Sequence, residues 1–212
     1  MTMSPTVPAG DVLDGIGFPT KRDEAWRYAP HRQLSELTFG PSDASSAPVE
    51  LDRFVPALDG PLVVVVNGVV SEAHSRFVAP DGLRVQSLAD AGFGRGDVTI
   101  VDAYTALNVT YTSDGVVVDV DDGAQIEAPI HLVDVAVPGP STNTSNSAVV
   151  IRLGVGSSAT VVETRIGVGS EFGGSNVHTS IVLADDATLE HILVQDLPAE
   201  QIHLSRVEVT QG

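Results

Sequence analysis

GAQIEAPIHL (123–132), SATVVETRIG (158–167) and DATLEHILVQ (186–195) each place a small or turn residue beside an alanine and then enter an apolar–acidic strand pattern. The alanines Ala124, Ala159 and Ala187 lie 35 and 28 residues apart. Units of this size with uneven spacing predict rungs of a right-handed β-solenoid with variable corners, or strands of a two-sheet sandwich. No single unit buries its apolar face alone; stacking does that. Periodicity by itself leaves both architectures open.

The same alternation extends outward from these repeats. Val116, Val118 and Val120 share one face with Asp119 opposite, and Ile126, Ala128, Ile130 and Leu132 alternate with Glu127, Pro129 and His131. Val149, Ile151 and Leu153 form one further face, and Val177, Thr179, Ile181 and Leu183 another. Clusters of Gly, Ser, Asn and Asp separate the runs, the longest being PGPSTNTSNS at 138–147. Asn67-Gly68, between Leu62–Val66 and Val69–Val70, is a strong hairpin signal, and Asp114-Gly115 reads as a second. Upstream, Thr20 reads as a helix N-cap with Asp23 three residues on, and Pro30 as a stop, which predicts a helix over 20–29. Short helices are expected around Leu88–Ala91 and Asp102–Leu107, with Gly92, Gly94 and Gly96 between them. Residues 1–10 read as a flexible tail and 40–50 as a linker. The chain thus divides into an N-terminal tail and helical segment (1–55), a small α/β region with a hairpin (56–108) and a stacked-strand region (109–212).

Composition supports a folded β-rich chain of 212 residues. Hydrophobic residues make up 42% and charged residues 18%, which argues against disorder. Aromatics are only 5%, and a core of Val, Ile and Ala suits thin β-layers. The net charge of −17 repels phosphate backbones and anionic lipid surfaces, so neither nucleic acid nor a membrane is an expected partner. The longest apolar run, Leu62–Val66, is far short of the roughly 18 residues a membrane span needs. MTMSPTVPAGD has no basic and apolar signal-peptide pattern, so cytoplasm is the expected location, and the glycosylation patterns at Asn108 and Asn143 are chance matches. The chain has no cysteine, which removes disulfides, thiolate nucleophiles and Cys-ligated metal from these residues.

Few motifs point to chemistry. Gly154-Val-Gly156-Ser-Ser-Ala159 matches a dinucleotide loop, but the following Thr160, Val161 and Val162 read as strand, so a β-turn is expected. The histidines His31, His74, His131, His178, His191 and His203 form no H-x-H or H-E-x-x-H pattern. His178, His191 and His203 lie about one strand and turn apart; surface ladder histidines are expected, with a two-histidine metal site as the rival. Glu163 and Glu190 hold equivalent repeat positions and stack as a carboxylate pair in one reading, or stand solvated in the other. Trp26, the only tryptophan, packs its segment onto a neighbouring layer or anchors a partner, and packing is the expectation.

GIGFPTKRDEAWRYAPHRQL (15–34) resembles the N-terminal signature of the SufB/SufD family of the SUF iron–sulfur cluster assembly system. That signature is a proline and basic residues followed by Asp/Asn-Glu-x-Trp-Arg/Lys-Tyr, here Pro19, Lys21, Arg22, Asp23, Glu24, Trp26, Arg27 and Tyr28. VVVVNGVV is similar to the family's strand-Asn-Gly-strand. Ala106-Leu107-Asn108, Asp114-Gly115 and Glu127-Ala-Pro129-Ile130-His-Leu132 resemble the entry into its β-helix. Val162-Glu163, Asn176, Leu189-Glu190-His191, Gln195, His203 and Gln211 continue the likeness in order. The Trp-Arg-Tyr block favours the SufD branch.

The resemblance implies a right-handed β-helix acting as a non-enzymatic scaffold. It implies pairing with a SufB-like paralogue through the β-helix, and a grip by a SufC-like ABC ATPase through a C-terminal region absent here. The iron–sulfur cluster then belongs to the complex, transiently, and none is bound by this chain alone. The sequence stops at Gly212 inside the β-helix, so an incomplete piece of a longer protein is expected, its last strand near Ile202–Val209 an uncapped rung. The family's cluster-linked His and Cys residues lie in the part not present, so no catalytic, cofactor-binding or metal residue is assigned. The rival is a carbohydrate-active or carbohydrate-binding β-solenoid or sandwich. It lacks aromatic sugar platforms, since Phe172 is the only aromatic in 112–212.

Overall fold

The computed structural model describes residues 13, 15–41, 58–92 and 98–212. The tail at 1–10, most of the linker at 40–50, and Gly94 and Gly96 lie outside the described residues. The strands, in chain order, are β1 (Leu62–Val66), β2 (Val69–Val70), β3 (Leu83–Ser87), β4 (Gly115–Val120), β5 (Ile130–Ala136), β6 (Thr144–Leu153), β7 (Ser158–Gly167), β8 (Gly173–Leu183), β9 (Thr188–Asp196) and β10 (Gln201–Gln211). Helices are α1 (His31–Leu34), a single turn, and α2 (Ala103–Tyr111).

From β4 onward successive strands alternate between two sheets, ordered β2-β1-β5-β7-β9 and β10-β8-β6-β4-β3. Each pairs in parallel with the strand two places along the chain. Parallel stacking of alternate strands makes this a β-solenoid of about three turns, not an antiparallel sandwich. At its N-terminal end β1 lies parallel on β5, β2 pairs antiparallel with β1 and β3 antiparallel with β4, completing the two sheets.

Valine and isoleucine dominate because most strands are buried on both faces. Val63, Val118, Ile130, Leu132, Ile151, Val161 and Ile181 meet between the sheets. Val64, Val133, Val135 and Ile166 form a second layer on the outer face of the β1–β5–β7 sheet. The outer face of the other sheet carries α2 and the N-terminal segment around Leu34, Phe39, Tyr104 and Leu107.

The register refines the repeat. Gln125 faces Ser158, and Ser158 faces Thr188, so the true column is Ala124, Ser157 and Ala187, with Ala159 two places further on. The corners show why the loop at 154–159 is no nucleotide cradle. Gly156 adopts φ +64° between β6 and β7, as Gly123 does at +71° one rung earlier. At the next corner Asp186 takes the same left-handed conformation, φ 59°.

The Asn67-Gly68 turn has φ 49° and 79°, as a type I′ hairpin requires. The Asp114-Gly115 hairpin is not formed: Gly115 is the first residue of β4, and a Cβ there would strike the Ala148 carbonyl. Close backbone approach, not a turn, demands that glycine. Asp114 instead accepts from the Val70 and Ala89 amides, both at 3.2 Å. The helix expected over 20–29 reduces to a 3-10 turn at Glu24–Trp26. Thr20 and Asp23 do bond, the Asp23 carboxylate accepting from the Thr20 amide at 2.7 Å, but this closes a turn ahead of Glu24 and does not cap a helix. A segment fenced by Pro19 and Pro30 is too short to propagate a helix unaided. Leu88–Ala91 is a turn, whereas the second expected helix forms as α2, capped by Asp102 accepting from the Thr105 amide at 2.8 Å.

Candidate functional site

Strand parity decides which side chains enter the solenoid lumen. On β7, Ala159 and Val161 belong to the shared core, and Glu163 and Arg165 follow at the same parity. On β5, Asp134 follows Ile130 and Leu132 in the same way, and lies beside Arg165 in the register. The lumen therefore turns from aliphatic to charged along each strand.

Glu163 is 0% exposed and Arg165 1%. Arg165 Nη2 donates to Glu163 Oε2 in an ion pair. Thr179, across the lumen on β8, donates its hydroxyl to both carboxylate oxygens at 3.2 Å. His191 Nε2 on β9 lies 2.8 Å from Oε1. Asp134 Oδ1 accepts from Ser147 at 2.8 Å, and Ser175 shares a 2.8 Å bond with His203 Nδ1. Asp134 Oδ2, Arg165 Nε and His203 Nε2 have no partner among the described residues.

The two carboxyls are driven apart. Burial pushes Asp134 above the usual carboxylate range, only partly opposed by Arg165 and Ser147. Burial presses Glu163 the same way, but Arg165, His191 and Thr179 outweigh it and hold Glu163 below its ordinary value. Burial, joined by Arg165, pushes His203 down to about 3, against a pull from Glu163. The lumen thus holds one matched ion pair and a neutral imidazole. A fixed guanidinium against Glu163 disfavours a cation there, and no group of three His, Asp or Glu among the described residues is placed to hold a metal ion.

Glu163 does not stack on Glu190. It faces Leu193, while Glu190 faces Thr160 and is exposed. A three-residue offset between the look-alike segments separates them, so no carboxylate pair spans a glycosidic bond. Nor do the histidines form a surface ladder. His131 and His178 are buried, and His203 sits at lumen parity. In the β8–β10 register His203 faces Ser175 and His178 faces Arg206, so those two do not meet. β5 and most of β8 are covered on both faces, which leaves their polar residues no solvent side, whereas β9 and the second half of β10 are exposed.

Outside the lumen, α2 is fastened through amides. Asn108 Nδ2 donates to the carbonyls of Ser147 (2.9 Å) and Asn176 (2.8 Å), and Asn176 Nδ2 donates to Tyr104 O at 2.9 Å. Trp26 stacks on Tyr104 with centroids 5.0 Å apart, so it packs its segment onto α2 as expected. A cleft of about 1430 Å³ lies between this segment, α2 and β10.

Residues 8–132 match the family described as SufBD protein N-terminal region. That match covers the Trp26 segment, α2 and the first rung. The chain belongs to the SufBD family. It is 25% identical over 178 residues to the iron–sulfur cluster assembly protein SufD of Escherichia coli, covering 83% of this chain and 42% of that protein. It is 23% identical over 226 aligned positions to an iron–sulfur cluster assembly SufBD family protein of Synechocystis, covering 96% of this chain and 49% of that one. This SufBD chain therefore spans less than half the length of either relative. No helix among its described residues is long and apolar enough to cross a membrane.

The sequence reading missed the lumen cluster of Asp134, Arg165 and Thr179. Its signal was present: Glu163 and Arg165 share parity with Ala159 and Val161. It was masked because Val162 and Ile166 make the opposite face of β7 equally apolar.

Proposed function

We propose that this chain is a scaffold in iron–sulfur cluster assembly, with the cluster as cargo of a larger complex and no chemistry of its own. The observation that carries the reading is the family match across the N-terminal segment and the first solenoid rung. The lumen is compatible with it: Glu163 is engaged by Arg165, Thr179 and His191, and the one hydroxyl–imidazole pair, Ser175 with His203, has a buried serine and no carboxylate bonded to the imidazole among the described residues. The chain has no cysteine thiolate, the usual cluster ligand, and no phosphate-binding loop. Cytoplasm is its proposed location.

In this reading a SufB-like paralogue pairs through the β-helix, and a SufC-like ABC ATPase binds a C-terminal region of longer relatives that this sequence does not include. Residues 1–212 alone neither bind the ATPase nor hydrolyse ATP. Pull-down with the cognate ATPase and anaerobic reconstitution with iron and sulfide test both halves. The expected results are no retention of the ATPase and no stoichiometric cluster. Tight ATPase binding, or a charge-transfer spectrum lost on His191→Ala or His203→Ala, would overturn the assignment.

A further inference from the structure

We propose that the exposed knuckle Lys21–Arg32 is a docking point for an acidic segment of a partner protein, with Tyr28 as its anchor. The chain has 11 basic side chains against 28 acidic ones, yet Lys21, Arg22, Arg27 and Arg32 fall in this one short stretch. Local acids cancel only part of them: Glu24 pairs with Arg27 at 2.5 Å, and Asp23, bonded to Thr20, offsets one more charge, so four basic against two acidic residues leave 21–32 at +2. Arg32 reaches Glu36 only at 3.7 Å, and Lys21 and Arg22 make no ion pair among the described residues.

Tyr28 is 92% exposed, and no packing among the described residues accounts for its aromatic ring. The backbone beneath it is nevertheless held firmly. Trp26 stacks on Tyr104, Phe18 meets the same ring edge-on at 5.3 Å, and His31 Nε2 lies 2.7 Å from Trp26 O. A preformed surface loses little conformational freedom on binding, and Tyr and Arg are the residue types enriched at binding hot spots. The cleft beside the knuckle has Tyr28 on one wall and the exposed Ile100 and Val101 on another, a seat for apolar residues flanking the acids.

The charge balance selects the partner class. A net charge of −17 repels long polyanions and anionic lipid surfaces at a distance. A short acidic segment can lie wholly on the small +2 patch of 21–32, within about one screening length, whereas a duplex or a bilayer would extend over the acidic surface around it. This surface is independent of the scaffold reading, because it involves neither the solenoid lumen nor a cluster.

Fluorescence anisotropy with the full chain and a labelled short Asp/Glu-rich peptide carrying a central Leu–Phe pair tests it. A duplex DNA and phosphatidylserine vesicles are run in parallel. The peptide should bind, and binding should weaken with salt. Tyr28→Ala, and separately Lys21→Glu with Arg22→Glu, should each weaken it about tenfold or more, with thermal unfolding unchanged because these side chains are exposed. Absence of peptide binding, or binding indifferent to both variants, overturns the proposal. So does equal or tighter binding of DNA or vesicles through the same residues, which would make the knuckle a polyanion site.

Discussion

Glu163 and Arg165 sit two residues apart on β7, both inside the solenoid, and each makes the other's burial tolerable. Removing one partner strands a charge where water cannot reach it, which costs about 3–5 kcal/mol. We therefore expect Glu163→Gln and Arg165→Met each to destabilise by that amount. The double variant should cost much less than their sum, since the lumen is then simply less polar. Denaturant unfolding of the three variants checks this; additive losses would mean the pair is not coupled. The corners give a second prediction at the same scale. Gly156 has φ +64° and nothing within 4 Å of an added Cβ, so Gly156→Ala should cost about 1–2 kcal/mol from backbone conformation alone. Asp186→Gly, at the equivalent left-handed corner, should be neutral or slightly stabilising. Charge pattern alone does not reveal Glu163 as buried, because a charged residue in an alternating strand is outward by default. Its side is fixed only when Thr179 and His191, from other strands, are seen to close on it.

Strands were readable where apolar residues alternate, as in β4, and the hairpin at Asn67-Gly68 was readable from its dipeptide. The same logic failed at Asp114-Gly115, because a glycine required by a neighbouring backbone looks identical to one required by a turn. The segment at 20–29 failed for a related reason: Thr20 and Asp23 bond to each other as a turn and not as a helix cap, and the segment packs onto Tyr104 as an irregular turn. α2 is fastened to the solenoid largely through Asn108, which bonds two buried carbonyls at once. Asn108→Ala removes both bonds while the carbonyls stay paired in the β6–β8 ladder, and should cost about 1–3 kcal/mol at roughly 0.5–1.5 kcal/mol per hydrogen bond. Strands β5, β8 and β10 carry a pH consequence. His131, His178 and His203 are all held neutral in the fold, burial being the leading cause for each. The unfolded chain takes up protons near pH 6.5 while these folded histidines do not, so stability falls as pH drops below that value. For His203 the loss continues toward pH 3, at up to about 1.4 kcal/mol per pH unit. Glu163, held below its ordinary value, adds a loss below about pH 4.5, while Asp134, held above its own, partly offsets it. His203→Gln should flatten the stability curve between pH 4 and 6; an unchanged slope would show that His203 is not protected from protonation.

The whole molecule is a short stack of rungs whose two sheets carry the same parity from β4 to β10, with an N-terminal segment and α2 fastened to one outer face. Such a body offers long strand edges and outer faces, and among the described residues its interior holds the Glu163–Arg165 ion pair beside Asp134 and His203. The scaffold role proposed above would use those edges and faces to position other proteins. The alternating pattern gave the strands, and the resemblance supplied the solenoid topology that alternation alone left open. The most direct measurement of the central proposal is cluster yield in a reconstituted assembly. A SufB-like paralogue and a SufC-like ATPase from the same organism are supplied with iron, sulfide, reductant and ATP anaerobically, with and without this chain. The account predicts that the chain co-purifies with the paralogue and raises cluster occupancy of the assembly while carrying none itself. Equal occupancy without the chain, or a cluster that stays with the chain after the paralogue is removed, would contradict it.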